Sequence, residues 1–192
     1  MNPSSSRKKA PETVRANLLA AAARIAAEKG LAAITLDSVA RIAEVSKGGL
    51  LHHYRSRQAL IEALHADLLN RLDRRIQTIR ANDPEPQGQF TRAYVSAVVL
   101  PCDSADESRL LGAASLAMST DPYLADAWNR WIGDHLAQSG AEDRSPAATA
   151  IRYAADGIWL ADCTHTALPA TERNAVLALL TAQTFHLSAD KP

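Results

Sequence analysis

The sequence contains few cysteines, few aromatic residues and no long apolar run, and each shortage excludes a class of protein. Only 2 of the 192 residues are cysteine, which is too few for a disulfide scaffold, and their spacing fits no zinc motif. A reducing cytoplasm is therefore the expected location. No apolar run approaches the ~20 residues that span a bilayer, and the basic N-terminus lacks the apolar core of a signal peptide. We expect no membrane partner.

Aromatic residues make up only 5% of the chain, although 47% of it is hydrophobic and alanine is abundant. This composition favours close-packed helices over a sheet and suffices for a buried core. Apolar residues recur at helical spacing, and no convincing alternating strand pattern occurs. We therefore predict an all-α fold of about nine helices. The predicted bounds are 11–29, 36–43, 46–54, Ser56 to a linker at 81–89, 90–100, 105–119, 122–138, 146–167 and 169–187.

The chain has no net charge, with 21 basic and 21 acidic residues, but the two signs are unevenly distributed. Residues 1–57 carry ten lysines and arginines against four acidic residues, and the remainder is acidic by the same margin. Chance clustering is one explanation of this asymmetry. The other is that the basic end binds a polyanion.

Two short predicted helices within the basic end carry the most informative motif. Thr35 caps the helix at 36–43 and Ser46 caps the helix at 46–54, with only a two-residue turn between them. Two short helices joined by a tight turn form a helix-turn-helix, whose second helix lies in the major groove of DNA. The flanking basic residues would then face phosphates.

Residues 12–68 resemble the DNA-binding domain of the TetR/AcrR family of bacterial transcriptional regulators. The matching segments are ANLLAAAARIAAEKG and ITLDSVARIAEVSKGGLLHHYRSRQALIEAL, in the family's order and spacing. The later stretch RYAADGIWLADCTHTALPATERNAVLALL looks like the dimerising helices of one subgroup. We therefore expect a disordered basic arm at 1–10, a DNA-binding head at 11–57 and a helical effector-binding and dimerisation body at 58–192.

The resemblance assigns DNA contacts to the recognition helix and its flanks. Thr35 matches a helix cap that can bind a phosphate, and Lys47 matches a position facing bases or phosphate. Tyr54 replaces the usual phenylalanine, so its ring is expected inside with its hydroxyl directed to a phosphate. Arg55 and Arg57 match a basic pair that grips the DNA backbone. The expected DNA-binding residues are Thr35, Ser46, Lys47, Gly49, Leu51, His52, His53, Tyr54, Arg55 and Arg57.

The sequence departs from the family pattern at Glu44, Gly49 and Leu51, and at Ala26, which stands where a larger apolar residue is common in the first helix. Glu44 stands where the family usually has glycine, and a left-handed conformation there would cost a non-glycine residue roughly 1–2 kcal/mol. Gly49 occupies a position that is often threonine, and Leu51 one that is often tyrosine. The DNA sequence recognised is therefore expected to differ from that of relatives with threonine and tyrosine.

Two glycines at the start of the recognition helix each cost it roughly 1 kcal/mol relative to alanine. Without side chains they let the backbone approach DNA closely, and we expect this role more for Gly49 than for Gly48. The alternative is that Gly48 is merely small against the preceding helix. Leu51 could contact a thymine methyl group, while Lys47 or a histidine could donate to guanine.

Two histidine-containing groups suggest a metal site, and the sequence supports neither. His52 and His53 are helical neighbours whose side chains diverge by about 100°, with no cysteine or carboxylate nearby. Asp162, Cys163 and His165 fall within one turn, but no partner cluster is obvious elsewhere. No nucleophile with an orienting base, phosphate loop or paired carboxylate is visible. We therefore expect no metal, cofactor or catalytic residues.

The body contains all three tryptophans and could enclose an apolar pocket with a few polar groups. The resemblance implies that an unidentified small-molecule effector binds there and moves the fourth helix. Core packing is the other explanation of these side chains. The candidate lining residues are Leu68, Phe90, Tyr94, Leu111, Met118, Trp128, Trp131 and Trp159.

The last two predicted helices would form a four-helix bundle in a twofold dimer. Such a homodimer places two recognition helices on palindromic operator DNA, as the resemblance also implies. The candidate interface residues are Ile151, Ala155, Ile158, Asp162, Val176 and Leu180. The leading hypothesis is thus a ligand-responsive repressor; the alternatives are a DNA-binding regulator without an effector, and a helical carrier or enzyme.

Overall fold

The computed structural model of the chain describes residues 4–100, 105–164 and 166–188, and every regular element within them is helical. This confirms the predicted all-α class. No helix in these ranges is both long and apolar enough to cross a membrane. The helices are α1 Ser4–Lys29, α2 Leu36–Ile42, α3 Lys47–His53, α4 Arg57–Ala81, α5 Gln89–Val99, α6 Ala105–Ser119, α7 Pro122–Ala137, α8 Pro146–Cys163 and α9 Ala170–Thr184, with short 3₁₀ turns at Leu31–Ala33 and Glu142–Arg144.

The largest differences from the expected bounds lie at the ends of α1, α8 and α9. Helix α1 begins at Ser4, so residues 4–10, which we expected in a disordered arm, are helical. They contain no glycine or proline, and Pro11 removes a single backbone donor. Helix α8 stops at Cys163 rather than 167, and the Thr166 amide turns back to donate to the Ala161 carbonyl at 3.0 Å. Pro169 then caps α9.

Hydroxyl and carboxylate caps define the starts of most helices. The hydroxyls of Ser46 and Ser56 accept hydrogen bonds from the backbone three residues later, at 3.1 and 3.0 Å. Asp121 caps α7 and Ser145 caps α8, each followed by a proline at the first helical position. The sequence therefore encodes the breaks between helices locally.

The buried apolar residues form two clusters, which we call the head cluster and the body cluster. The head cluster joins α1 to α4 and also contains Ala114 and Met118 of α6 and Leu124 of α7. The body cluster is built around α5, which is packed against α4, α8 and α9. Helix α4 belongs to both, because Leu60 lies in the head cluster and Ile76 in the body cluster.

A buried arginine fixes the linker between α4 and α5. Arg92 pairs with Asp83 at 2.7 Å, donates to the Glu85 carbonyl at 2.7 Å, and donates to the Thr184 hydroxyl at 3.0 Å. Gly88 completes this junction with a φ of 67°, and a Cβ there would lie 2.6 Å from the Thr184 carbonyl oxygen. The linker is thereby held against the end of α9.

A second buried arginine joins α5 to α8. Arg152 donates to the Thr91 hydroxyl and to the Asp143 carbonyl, both at 2.8 Å. Nearby, the Tyr94 hydroxyl donates to the Asp156 carboxylate at 2.6 Å. Burial raises the pKa of Tyr94 well above its ordinary value, so the phenol keeps the proton that it donates. These bonds satisfy polar groups inside an otherwise apolar helix contact.

The turn between α2 and α3 closes α2 with a Schellman motif. The Val45 amide donates to the Ala40 carbonyl at 2.9 Å, and the Glu44 amide donates to the Arg41 carbonyl at 3.4 Å. Glu44 has a φ of 56°, the left-handed conformation that glycine adopts most readily. The sequence-based expectation of strain at Glu44 is therefore supported by the backbone.

Replacing Glu44 by glycine should stabilise the protein. Relief of the left-handed penalty is expected to add about 1 kcal/mol to the free energy of unfolding, raising Tm by about 2–4 °C. Glu44→Ala is the matched control, because it removes the same carboxylate but keeps the Cβ that causes the strain. Thermal denaturation of both variants measures the difference, and equal Tm values for the two would contradict the expectation.

Candidate nucleic-acid interface

Helix α3 is fixed by one apolar face, which leaves the opposite face in solvent. Leu50 is fully buried in the head cluster, where Val39 of α2 is also fully buried. Tyr54 caps the C-terminal end of α3 and is only 5% exposed. The helix is therefore anchored at its middle and at its end.

The opposite face of α3 carries Lys47, Leu51 and His52, which are all exposed. Lys47 pairs with Asp37 at 2.9 Å, but both side chains are largely solvated, so this ion pair contributes little. Leu51 is 39% exposed, so it presents an apolar side chain to solvent on the same helix as Lys47 and His52. This surface offers a cation, a methyl-bearing group and an imidazole to a partner.

The two glycines of α3 differ in their surroundings. A Cβ on Gly48 would meet nothing within 4 Å, whereas one on Gly49 would lie 3.0 Å from the Val45 side chain and 3.2 Å from the Ser46 hydroxyl. Gly49 is thus confined by its own turn. Gly48, which we had considered as merely small against α2, is the open position on the helix.

The Tyr54 ring packs inward as expected, but its hydroxyl is engaged by the protein. Arg15 of α1 donates from Nε to the Tyr54 hydroxyl at 3.3 Å. Arg15 was not among the residues expected to bind DNA, although it is a basic residue beside Val14 at the edge of the apolar stripe of α1. The sequence signal that could have drawn attention to Arg15 is this position, at the border between the buried and the exposed residues of α1.

Arg57 is exposed, and two of its guanidinium nitrogens are used by the fold. Its Nε donates to the Ile34 carbonyl at 2.7 Å, and one terminal nitrogen donates to the Leu31 carbonyl at 2.6 Å. These carbonyls belong to the connection between α1 and α2, so Arg57 ties that connection to the start of α4. Arg55 is exposed and makes no ion pair with the side chains that the structure describes.

The capping residues Thr35 and Ser46 are exposed, but both hydroxyls are used locally. Thr35 forms a capping box with Ser38, in which each hydroxyl accepts from the other residue's backbone amide at 3.0 Å. Ser46 accepts from the Gly49 amide. Their role in the fold is therefore to position α2 and α3.

The residues considered as metal ligands are arranged differently from a metal site. The rings of His52 and His53 meet edge to face with centroids 5.5 Å apart, and no group of three or more ligating side chains occurs in the described ranges. Asp162 is paired with Arg173, and burial together with Asp162 raises the pKa of the Cys163 thiol to about 11. His165 lies outside the described residues.

The candidate pocket residues lie in three separate places. Phe90, Trp128 and Trp131 come together around His135. The His135 ring stacks on the Phe90 ring with centroids 5.1 Å apart, and its Nε2 lies 3.0 Å from the Asp73 carboxylate of α4. Tyr94 belongs to the same body cluster, whereas Met118 is buried in the head cluster and Leu68 packs against it. Leu111 is half-buried on α6, and Trp159 faces Gly112 across α6 and α8.

Two open surface clefts of about 430 Å³ each are lined by other residues than these eight. One lies along the outer surface of α7, at Tyr123, Asp126, Asn129 and Arg130. The other lies between α1, the turn after α2 and α6. Its lining residues are Asn17, Ala20, Ala21, Arg24, Ile42, Ala43, Glu44 and Leu110.

The expected interface residues of α8 and α9 point into their own chain. Ile151, Ala155, Ile158 and Leu180 are buried in the body cluster, and Val176 packs against it. Asp162 is held by Arg173. The outward faces instead carry Tyr153, Leu160 and Leu179, which are 71%, 44% and 58% exposed. These interface residues are therefore part of the chain's own core, and the face of α8 and α9 that contacts a second copy stays a prediction. The sequence could not distinguish the faces, because both faces of each helix contain apolar residues.

Known protein families match both the N-terminal and the C-terminal part of the chain. The family described as "Bacterial regulatory proteins, tetR family" matches residues 18–64, and "Tetracyclin repressor-like, C-terminal domain" matches residues 88–185. The HTH-type transcriptional repressor KstR2 of Mycolicibacterium smegmatis is 31% identical over 86 residues, which are 45% of this chain. The matched region spans 42% of that repressor's length.

Solved structures share the whole fold at low sequence identity. A transcriptional regulator from Rhodococcus sp. Rha1 superposes with a TM-score of 0.67 at 20% identity, covering 95% of this chain and 99% of that one. The multidrug binding protein EbrR, solved with malachite green, gives a TM-score of 0.64 at 22% identity over 88% of this chain and 97% of its own. These similarities concern the fold.

The different placements of Arg55 and Arg57 can be tested without any ligand. Arg57→Ala should lower the free energy of unfolding by about 1 kcal/mol, because two carbonyl groups lose a charged donor. Arg55→Ala is the matched control and should change it by less than ~0.5 kcal/mol. Urea denaturation measures both values. Equal stabilities would show that the Arg57 hydrogen bonds contribute nothing.

Proposed function

This chain belongs to the TetR family of bacterial regulatory proteins, and we propose that it is a dimeric transcriptional repressor that binds palindromic operator DNA in the bacterial cytoplasm. The family consists of transcription regulators, so the chain is not an enzyme. The observation that carries the proposal is the solvent-facing surface of α3, which presents Lys47, Leu51 and His52 on a helix anchored by Leu50.

That surface has the chemistry of a major-groove reader. Lys47 can donate to guanine or to a phosphate, His52 can donate to a base edge, and Leu51 can contact a thymine methyl group. The open Gly48 allows the α3 backbone to approach the groove at a point where a Cβ would otherwise project. Arg55, just beyond α3, supplies a positive charge for the phosphate backbone.

The second copy needed for a palindrome is proposed to bind the outward faces of α8 and α9. Tyr153, Gly157 and Leu160 share one face of α8, at helical spacing, and a Cβ on Gly157 would meet nothing within 4 Å. Leu179 lies on the outward side of α9, between the exposed Ala175 and Ala182. Large apolar groups alternating with small ones suit close packing of two helix pairs into a four-helix bundle.

A twofold dimer would place its recognition helices about one DNA turn apart, roughly 34–36 Å, so each would read one half of a palindrome. Neither head alone would then provide the full affinity. If each copy contributes the same faces of α8 and α9, the contact is isologous, as a twofold axis requires.

A small-molecule effector is proposed to act through α4. The aromatic group of Phe90, Trp128 and Trp131 lies beside α4 and is connected to it by the pair of His135 and Asp73. A ligand that displaced this group would favour a second position of α4 and of the head attached to it. Because binding is linked, operator DNA would weaken that ligand by the same factor.

A DNA-binding regulator without an effector is the second candidate. Phe90, Tyr94 and Met118, expected to line a pocket, are fully buried within packed clusters. This packing favours a body that serves dimerisation alone. In that case, the same operator would be bound with an affinity independent of small molecules.

Operator binding should depend on charge at α3 and its flank. The probe is the palindromic DNA upstream of the protein's own coding region, with a scrambled duplex as the reference. Lys47→Ala and Arg55→Ala should each weaken binding, and Arg55→Ala should reduce the salt slope by about 2 per dimer. Fluorescence anisotropy across a salt series measures this. Arg130→Ala is the control. Arg130 is an exposed arginine on α7, and its replacement should leave the operator affinity and the salt slope unchanged.

Failure of the unmodified protein to prefer the palindrome over the scrambled duplex at low salt would contradict the proposed function. Preference combined with no effect of either head substitution would instead place the DNA on another surface.

Dimerisation should depend on Leu179 and not on the exposed aromatic residue of α7. Leu179→Glu introduces a charge at the proposed interface without disturbing the body cluster, because the side chain is 58% exposed. We expect a monomer in sedimentation velocity at micromolar concentration and a large loss of operator affinity. Tyr123→Glu is the control, since Tyr123 is 54% exposed on α7, and it should remain dimeric. A dimeric Leu179→Glu protein would place the interface elsewhere.

A further inference from the structure

Arg15 is joined to the end of the recognition helix by a contact between distant parts of the sequence. Its Nε donates to the Tyr54 hydroxyl at 3.3 Å across a separation of 39 residues. Tyr54 is the C-terminal cap of α3 and is itself fixed in the head cluster. A mobile arginine on the surface of α1 is thereby tethered to a rigid acceptor.

The remainder of the Arg15 guanidinium is directed to solvent. Arg15 is exposed, and it makes no ion pair with an acidic side chain in the part of the chain that the structure describes. With Nε used by Tyr54, the two terminal nitrogens still carry four N–H donors in the planar arrangement that suits bidentate binding of phosphate. The Tyr54 hydroxyl also retains its own proton, because the contact with Arg15 uses only an oxygen lone pair.

We propose that Arg15 and Tyr54 form a phosphate-binding site for the DNA backbone, in which Arg15 makes the contact and Tyr54 positions it. The ligand is a phosphodiester oxygen pair flanking the major groove that α3 enters. Arg55, which follows Tyr54 directly, adds a second cation to the same end of α3. The site thus extends the interface from the helix-turn-helix to α1.

This inference rests on the proposed function, and its chemistry explains why a tyrosine stands at the end of α3. A phenylalanine would fill the same apolar space in the head cluster but would offer no acceptor for Arg15. Pre-organisation of a long side chain lowers the entropy lost when it binds, so the tether improves affinity without adding a contact to DNA.

The test measures operator affinity of three variants of the full-length protein across a salt series, using the same palindromic duplex. Arg15→Ala should reduce the salt slope by about 2 per dimer, which corresponds to a roughly tenfold smaller loss of affinity between about 50 and about 200 mM salt. Tyr54→Phe should weaken binding several-fold at an unchanged slope, because the charge remains but its orientation is lost. Arg24→Ala is the matched control, since Arg24 lies about half a turn round α1 from Arg15 and pairs with Glu28.

Each result decides between the proposals. An Arg15→Ala protein with the affinity and slope of Arg24→Ala would overturn the phosphate site while leaving the DNA-binding function intact. A Tyr54→Phe protein indistinguishable from the unmodified one would overturn the positioning role of the hydroxyl. If the unmodified protein shows no preference for the palindrome over the scrambled duplex, the proposed function itself is contradicted. Thermal denaturation accompanies each variant, and unchanged Tm values for Arg15→Ala and Arg24→Ala ensure that affinity reports the interface.

Discussion

Helix α4 is the constraint on which the rest of the structure depends, because one continuous helix contributes to both hydrophobic clusters. Its first turns supply Leu60 and Leu64 to the head cluster, and Ile76 lies in the body cluster. A 25-residue helix is about 37 Å long and stiff, so a small rotation of its C-terminal half displaces the head by a larger distance. The linker after it is held by Arg92, which leaves little slack between α4 and α5. The orientation of the head cluster relative to the body cluster therefore depends on how α4 is held.

The recognition helix is positioned by the turn before it and by buried or hydrogen-bonded side chains, and not by the side chains on its exposed face. The Schellman turn at Glu44 sets the angle between α2 and α3, and Arg57 ties the start of α2 to the start of α4. Leu50 and Tyr54 then fix the rotation of α3 about its own axis. Lys47, Leu51 and His52 are exposed and contribute nothing comparable to this scaffold.

Local signals made most of the fold predictable, whereas the roles of individual polar side chains depended on tertiary contacts. Helix caps such as Ser46 and Asp121 are short-range features, and the predicted helix starts agreed with the structure to within one residue where they occurred. The family resemblance assigned Arg57 to DNA, but its hydrogen bonds to the Ile34 and Leu31 carbonyls could not be predicted. Those carbonyls lie more than twenty residues away, in a turn whose position no sequence pattern specifies. The same reason explains Asp162, whose partner Arg173 lies on the next helix. For α8 and α9, helical periodicity identified two apolar faces but not which of them meets α5.

The presence of α6 residues in the head cluster has a consequence for how the molecule is made. Ala114 and Met118 are as deeply buried as the residues of α1 to α4 that surround them. During synthesis, the first 57 residues therefore leave the ribosome without the side chains that complete their core. The reading head acquires its full packing only after α6 and Leu124 have emerged, so it is a product of the whole chain and not a detachable module.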